Sequence, residues 1–217
     1  MSDQIVLLGA GGHARVLAAA LRLLGTPARA YVAQRRALSS AGLSAIDYLG
    51  DDSALMARGP KGIVLVNAVG GVDVASTRRD VFDRFCDRDF SFMPVVHPSA
   101  IVAADIVIGE GTQIMAGAVV QPCVTIGKNA IINTRAVVDH DVHAGDHVHI
   151  ATGAVIAGGV QIGDSSHIGA GATVIQNVTI GREVLVAAGA VVTEHVPDRA
   201  RVGGVPARPL VGHGWNG

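Results

Sequence analysis

The chain has 217 residues, 49% of them hydrophobic but only 3% aromatic, with 28 glycines; 17 Lys and Arg against 18 Asp and Glu leave a net charge of −1. That balance leaves no surplus of cations to neutralise a nucleic-acid backbone, so nucleic acid is not an expected partner. No apolar run reaches the roughly 18 residues of a membrane span, Met1-Ser2-Asp3-Gln4 lacks the basic flank of a secretory leader, and Cys86 and Cys123 match no metal-ligand spacing. These features predict a soluble, cytoplasmic protein with no membrane span and with free, buried thiols.

Residues 1–93 alternate strand and helix patterns, as a small Rossmann-like parallel α/β domain does. Residues 4–8 read as a buried strand, residues 9–13 (Gly-Ala-Gly-Gly-His) as a turn, and residues 14–24 as an apolar helix ending at Gly25. Further strands are expected at 30–33 and 62–67, and an amphipathic helix at 77–88. Gly9-x-Gly11-x-x-Ala14 matches the dinucleotide fingerprint, and amides at such a helix start attract phosphate. The acidic residue that would meet a ribose hydroxyl about twenty residues on is missing, because the chain there reads Tyr31-Val32-Ala33-Gln34-Arg35. NAD is thereby disfavoured. Either a nucleotide diphosphate sits over Gly11, Gly12 and His13, with a second contact from the Asn67-Ala68-Val69-Gly70 strand end, or the turn holds no ligand.

The prolines of Met93-Pro94-Val95-Val96-His97-Pro98 exclude helix and mark a join, so residues 94–217 form a second region. From Val102 onward every sixth residue is Ile or Val, sixteen times in succession to Val192, with Ala144 the single exception. The fourth residue after each is small or branched (Ala118, Val124, Ala130, Ala136), and glycine recurs directly after the sixth-place residue itself (Gly109, Gly127, Gly145, Gly163). A period of six is too short for a helical repeat and predicts a β-helix, with branched side chains inside and glycines easing the corners.

This block resembles the hexapeptide-repeat, left-handed parallel β-helix proteins, whose geometry implies three hexads per triangular coil, about five coils, and residues i and i+18 stacked. The Gly-Ala-Gly-Gly-His-Ala loop, Asn-Ala-Val-Gly, and Val-His-Pro-Ser-Ala join carry the resemblance further. Over nearly the whole chain it is similar to the bacterial sugar acyltransferases of the PglD/NeuD type, and among them to the nucleotide-4-amino-sugar N-acetyltransferases.

The resemblance implies acetyl transfer from acetyl-CoA to the C4 amine of a nucleotide-linked 4-amino-4,6-dideoxy sugar, GDP-perosamine or a UDP-linked analogue, for surface polysaccharide or glycan synthesis. It implies a homotrimer with active sites at subunit interfaces and no metal. His140, after Ile132-Asn133-Thr134, is then the general base, with Asp141 supporting it. Asn133 lies nearby as a substrate contact, and His149, Ala170 and Ala188 touch acetyl-CoA. Stacking by eighteen puts Gly158 over His140, where an open backbone N–H would meet the oxyanion. Two other readings share these residues: O-acetylation of a hydroxyl, as on sialic acid, and a non-catalytic nucleotide-sugar scaffold. A third, zinc held by histidines among His140, His143, His147, His149 and His167 as in γ-type carbonic anhydrases, needs three convergent nitrogens.

Overall fold

The computed structural model describes residues 3–36, 42–71 and 77–210. Near the N-terminus four parallel strands, β1 (Gln4–Leu8), β2 (Ala30–Val32), β3 (Asp47–Tyr48) and β4 (Ile63–Asn67), form a sheet in the order β3-β2-β1-β4. Helices α1 (Gly12–Leu23), α2 (Asp52–Arg58) and α3 (Thr77–Cys86) connect and cover them. The strands β1 and β4 are apolar on both faces because both are covered. One cluster joins Val6, Leu8, Leu55, Phe82 and Phe85, and the other joins Leu7, Leu17, Leu21 and Val66. α1 begins two residues before the expected start. β3 and α2 are new, for neither is long enough to show a hydrophobic period, and the readable signal for α2 is Asp51, whose Oδ1 accepts from the Ala54 N–H at 3.1 Å.

From β5 (Val95–Val96) the chain winds into a parallel β-helix of the left-handed type, made of two-residue strands six residues apart. Each of the sixteen expected positions from Val102 to Val192 is the second residue of such a strand, and Val96 extends the register one hexad earlier. Strands eighteen residues apart pair in parallel, as Ile131 with His149 and His149 with His167. Three faces result. The first carries β5 and the strands at 113, 131, 149, 167 and 185; the second runs from Ile101–Val102 to Val191–Val192; the third runs from Val107–Ile108 to Thr179–Ile180. Hexad residues and the small residues four places on fill one continuous interior, from Ile114 to Val202. Each inward Ile or Val contributes about 1.5–3 kcal/mol of gross burial energy, which only a stack can collect.

The corner glycines work differently from the expectation. The left-handed backbone recurs every sixth residue from Gly111 to Gly189, three places after each hexad position, with φ between 53° and 71°. It is held by Cys123, Asn129, Arg135, Asp141 and His147 as well as by glycine. The glycines one place after the hexad position serve coil stacking instead. A Cβ on Gly109 would lie 2.5 Å from the Gly127 carbonyl carbon, and one on Gly163 2.7 Å from Arg182 N. Cys123 is also not a buried thiol: it sits exposed on such a corner, 3.5 Å from Asp105 Oδ2, while Cys86 is half-buried.

The N-terminal lobe rests on the first face, where Leu17 and Leu21 of α1 share a core with Val95, Met115 and Ile131. Among the described residues no helix is long and apolar enough to cross a membrane.

Candidate active site

Two groups of the expected residues form, on different parts of the prism. The first is at the corner between the second and third faces. Asp141 takes the left-handed conformation (φ 58°), which turns its carboxylate back onto the preceding residue, so His140 Nδ1 and Asp141 Oδ2 stand 2.7 Å apart. That turn is how two sequence neighbours come to act together. Asp139 Oδ1 meanwhile accepts from the His140 main-chain N–H at 2.8 Å. The bond to Asp141 raises the imidazole pKa above its ordinary value, the charge of Asp139 adds to this, and the slight burial opposes it. With Nδ1–H donated to the carboxylate, Nε2 carries the free lone pair.

Gly158 lies one coil above, but it is not open as expected: it is buried beneath the imidazole. A Cβ there would stand 2.6 Å from His140 Cε1 and 2.7 Å from Nε2, so the glycine makes room for the ring. Its carbonyl accepts from Asn177, and among the described residues its N–H makes no hydrogen bond. Gly158→Ala should therefore displace the ring and cut turnover by about 10²-fold. The unfolding transition should not move, because the 62% exposed His140 side chain can swing aside. Steady-state kinetics beside a thermal melt test this, and wild-type turnover would refute it.

The second group lies between the first face and the N-terminal lobe. Asn133 is not beside His140. Its Nδ2 lies 3.1 Å from His149 Nε2, and its Oδ1 accepts from Thr134 N. His149 packs edge-on against His167 at 4.7 Å between ring centroids, with the Gly71 loop over its Nδ1. Burial first, then His167, pushes the His149 pKa down to about 3, so the ring is neutral. His13 stands in the first turn of α1 and not in the expected turn before it, with Nε2 2.7 Å from Gln113 Oε1, and burial lowers its pKa to about 4. Gln113 Nε2 donates to Asn67 O at 2.7 Å.

Beneath this pair is a buried network that the sequence did not suggest. Arg78 donates from Nη1 to Asn67 O and Val69 O, both at 2.8 Å, and from Nε to Asn129 O at 3.2 Å. Asn67 Nδ2 reaches Arg78 O and Asn129 Oδ1. The loop after β4 is thus pinned to the coil.

Gly11 and Gly12 stand exposed at the start of α1, which has no acidic residue in its first turn and no side-chain cap, and Gly70 is exposed opposite them. A crevice of about 400 Å³ opens at the carboxyl ends of β1, β2 and β4. Gly9 lines it and approaches Ala68 so closely that a Cβ would stand 3.3 Å from the carbonyl carbon. Ala33, Gln34, Asp52, Asp80 and Arg84 also line it. The last three were missed, for they belong to helices that only the fold brings to the strand ends. Ala170 and Ala188 are exposed along the corner between the first and second faces, beside Gly171 and Gly189, where a Cβ would meet nothing within 4 Å. The remaining histidines disperse, His147 onto Asn129 and His143 onto the third face. Among the described residues no three His, Cys, Asp or Glu side chains gather in a way that could hold a metal ion.

The family model described as bacterial transferase hexapeptide (six repeats) matches residues 105–140, 141–176 and 159–194. GDP-perosamine N-acetyltransferase from Caulobacter crescentus, solved as a histidine-to-alanine variant with CoA and GDP-perosamine, is 37% identical. The match covers 96% of this chain and 97% of that one, with a TM-score of 0.87. The chain belongs to the hexapeptide-repeat sugar N-acetyltransferases. The acetyltransferase domain of PglB from Neisseria gonorrhoeae, in complex with acetyl coenzyme A, is 34% identical to this acetyltransferase, covering 97% of this chain and all 100% of that domain at a TM-score of 0.88. WeeI from Acinetobacter baumannii, 23% identical over 96% of this chain and 100% of its own at a TM-score of 0.78, shares the fold. No curated protein sequence matches the chain.

Proposed function

We propose that the protein transfers the acetyl group of acetyl-CoA to the C4 amine of a nucleotide-linked 4-amino-4,6-dideoxy sugar of the GDP-perosamine type, in the cytoplasm, for surface polysaccharide or glycan synthesis. The observation that carries this is the His140–Asp141 pair, a base held in one tautomer at a corner next to an unbonded main-chain N–H. The relative from Caulobacter crescentus, with CoA and GDP-perosamine bound, supports the choice of both substrates.

A protonated amine cannot attack a thioester. His140 Nε2 accepts a proton from the amine, directly or through a water, as nitrogen attacks the acetyl carbonyl. The Gly158 N–H donates to the oxyanion as the exposed imidazole swings toward the amine. Collapse expels the CoA thiolate and leaves an amide, with no acyl-enzyme. The diphosphate lies at the uncapped start of α1, over Gly11 and Gly12 and facing Gly70, where main-chain N–H groups and the helix dipole favour an anion. His13 and Asn133 support this acceptor side through Gln113 and His149.

Acetyl-CoA needs a second copy of the chain. The outward row of the second face is Ile101, Val119, Val137, Val155, Thr173 and Val191, a β-branched strip that runs the length of the coil, with Ile101 68% exposed. A homotrimer buries such a strip. The corners on either side of it carry His140 on one and Ala170 with Ala188 on the other. Packing the strips brings the base of one subunit alongside the open edge of the next, where the pantetheine arm lies along Ala170 and Ala188.

A thiol-release assay with acetyl-CoA and a panel of GDP- and UDP-linked 4-amino-4,6-dideoxy sugars, with hydroxyl sugars alongside, tests the reaction. Release with a 4-amino sugar is expected. Release with hydroxyl acceptors alone would overturn the proposal in favour of O-acetylation, and silence throughout would leave a scaffold.

A further inference from the structure

We infer that the crevice at the strand ends reads guanine, and that Asp52 and Arg84 are the side chains that read it. This rests on the reading that the N-terminal lobe holds the acceptor's nucleotide, and it adds to that reading the side chains that select guanine over the other bases.

The crevice has the size of a small-molecule site, about 400 Å³. Its floor is strand-end backbone from Gly9, Ala33 and Val69, and its charged groups come from helices. Asp52, in the first turn of α2, and Arg84, in the last turn of α3, are paired through Oδ2 and Nη2. The pair joins two helices that no other ion pair among the described residues connects. It presents side by side an acceptor-only carboxylate, whose Oδ1 makes no other hydrogen bond among the described residues, and a donor-only guanidinium with further N–H groups to give.

One nucleobase edge fits that order of groups. Guanine carries its C6 carbonyl beside N1–H and the 2-amino group, so Arg84 donates to O6 while the Asp52 carboxylate accepts from N1–H and N2–H. Uracil has one N–H between two carbonyls, and a carboxylate set to take two donors would face a carbonyl lone pair. Adenine reverses both positions, with an amine where the guanidinium needs an acceptor and a bare ring nitrogen where the carboxylate needs a donor. Gln34, at the end of β2, brings no charge to favour another base. Since each partner is already held by the other, little side-chain ordering remains to be done on binding.

Calorimetric titration of the intact protein with GDP, IDP, UDP and ADP, with no sugar or acetyl-CoA present, tests this separately from the chemistry. GDP should bind tightest. IDP, which lacks only the 2-amino group, should bind about tenfold more weakly, and UDP and ADP about tenfold to a hundredfold more weakly than GDP. Asp52→Asn should bring GDP down to the level of IDP and leave UDP unchanged, and Arg84→Met should weaken GDP without affecting the melt. Equal affinity for GDP and UDP, or a guanine preference that survives Asp52→Asn, would overturn the assignment and leave the nucleotide site standing. Failure of every nucleoside diphosphate to bind would overturn the nucleotide reading, and this assignment with it.

Discussion

Replacing His140 with alanine is expected to lower turnover by about 10² to 10⁴-fold while acetyl-CoA binding persists. The imidazole is mostly exposed and holds up no core, so the loss cannot come from unfolding. The same site makes a prediction about pH. A base works only unprotonated, so kcat/KM must rise with pH through the His140 pKa. Because the bond to Asp141 raises that pKa, the rising limb lies higher than it would for a free imidazole. Asp141→Asn removes the largest cause of the shift, and should both move the limb to lower pH and lower the plateau, since a weaker base and a freed tautomer remain. A pH profile of kcat/KM for the wild type and both variants checks this. Near-normal turnover in His140→Ala would mean that the amine arrives already neutral, and a limb unmoved in Asp141→Asn would mean that the carboxylate only braces the corner.

Arg78→Ala is expected to destabilise the protein by roughly 3–5 kcal/mol, the largest effect on stability foreseen for a single polar residue here. Arg78 is buried, and among the described residues its acceptors are the main-chain carbonyls of Asn67, Val69 and Asn129. Without the guanidinium the Val69 and Asn129 carbonyls lose their donor, while the Asn67 carbonyl keeps the bond from Gln113 Nε2, and each carbonyl left unpaired costs about 1–3 kcal/mol before the structure relaxes. Among the described residues Nη2 has no partner, and burial lowers the pKa to about 9, so the charged form pays for its loss of water. That cost of burying the cation is why the loss is put below the upper limit set by the broken bonds. Arg78→Lys keeps the charge but not the fork, and should recover less than half of the loss. Denaturant unfolding at one protein concentration measures both. An alanine variant within 1 kcal/mol of the wild type would refute the account of the loop as pinned through this residue.

The coil was legible because its pattern is local and repeated. An inward residue every sixth place is visible in any window, and no later part of the chain can alter it. His140 was legible through its neighbours in sequence, though the left-handed turn at Asp141 that joins the pair was not. The remainder depends on meetings at long range. His13 finds Gln113 a hundred residues on, and Arg78 finds Asn129 fifty-one residues on. Asn129 stands at a corner that accepts Arg, Cys or His equally, so nothing in its hexad marks it. Asp52 and Arg84 likewise look like an ordinary N-terminal acid and C-terminal base, each suited to its helix dipole, until the strand ends bring them to one crevice.

The eighteen-residue stacking interval has a consequence for how such a chain can change length. Removing or duplicating one whole coil leaves every downstream face pointing where it did, and only shortens or lengthens the column. A change of six residues keeps the interior filled but rotates everything after it by a third of a revolution. It would carry the Ala170 and Ala188 edge to the wrong side of the apolar strip while the N-terminal lobe stayed in place. Length variation compatible with activity should therefore come in steps of eighteen, and a six-residue change should yield a well-packed column whose two half-sites no longer meet.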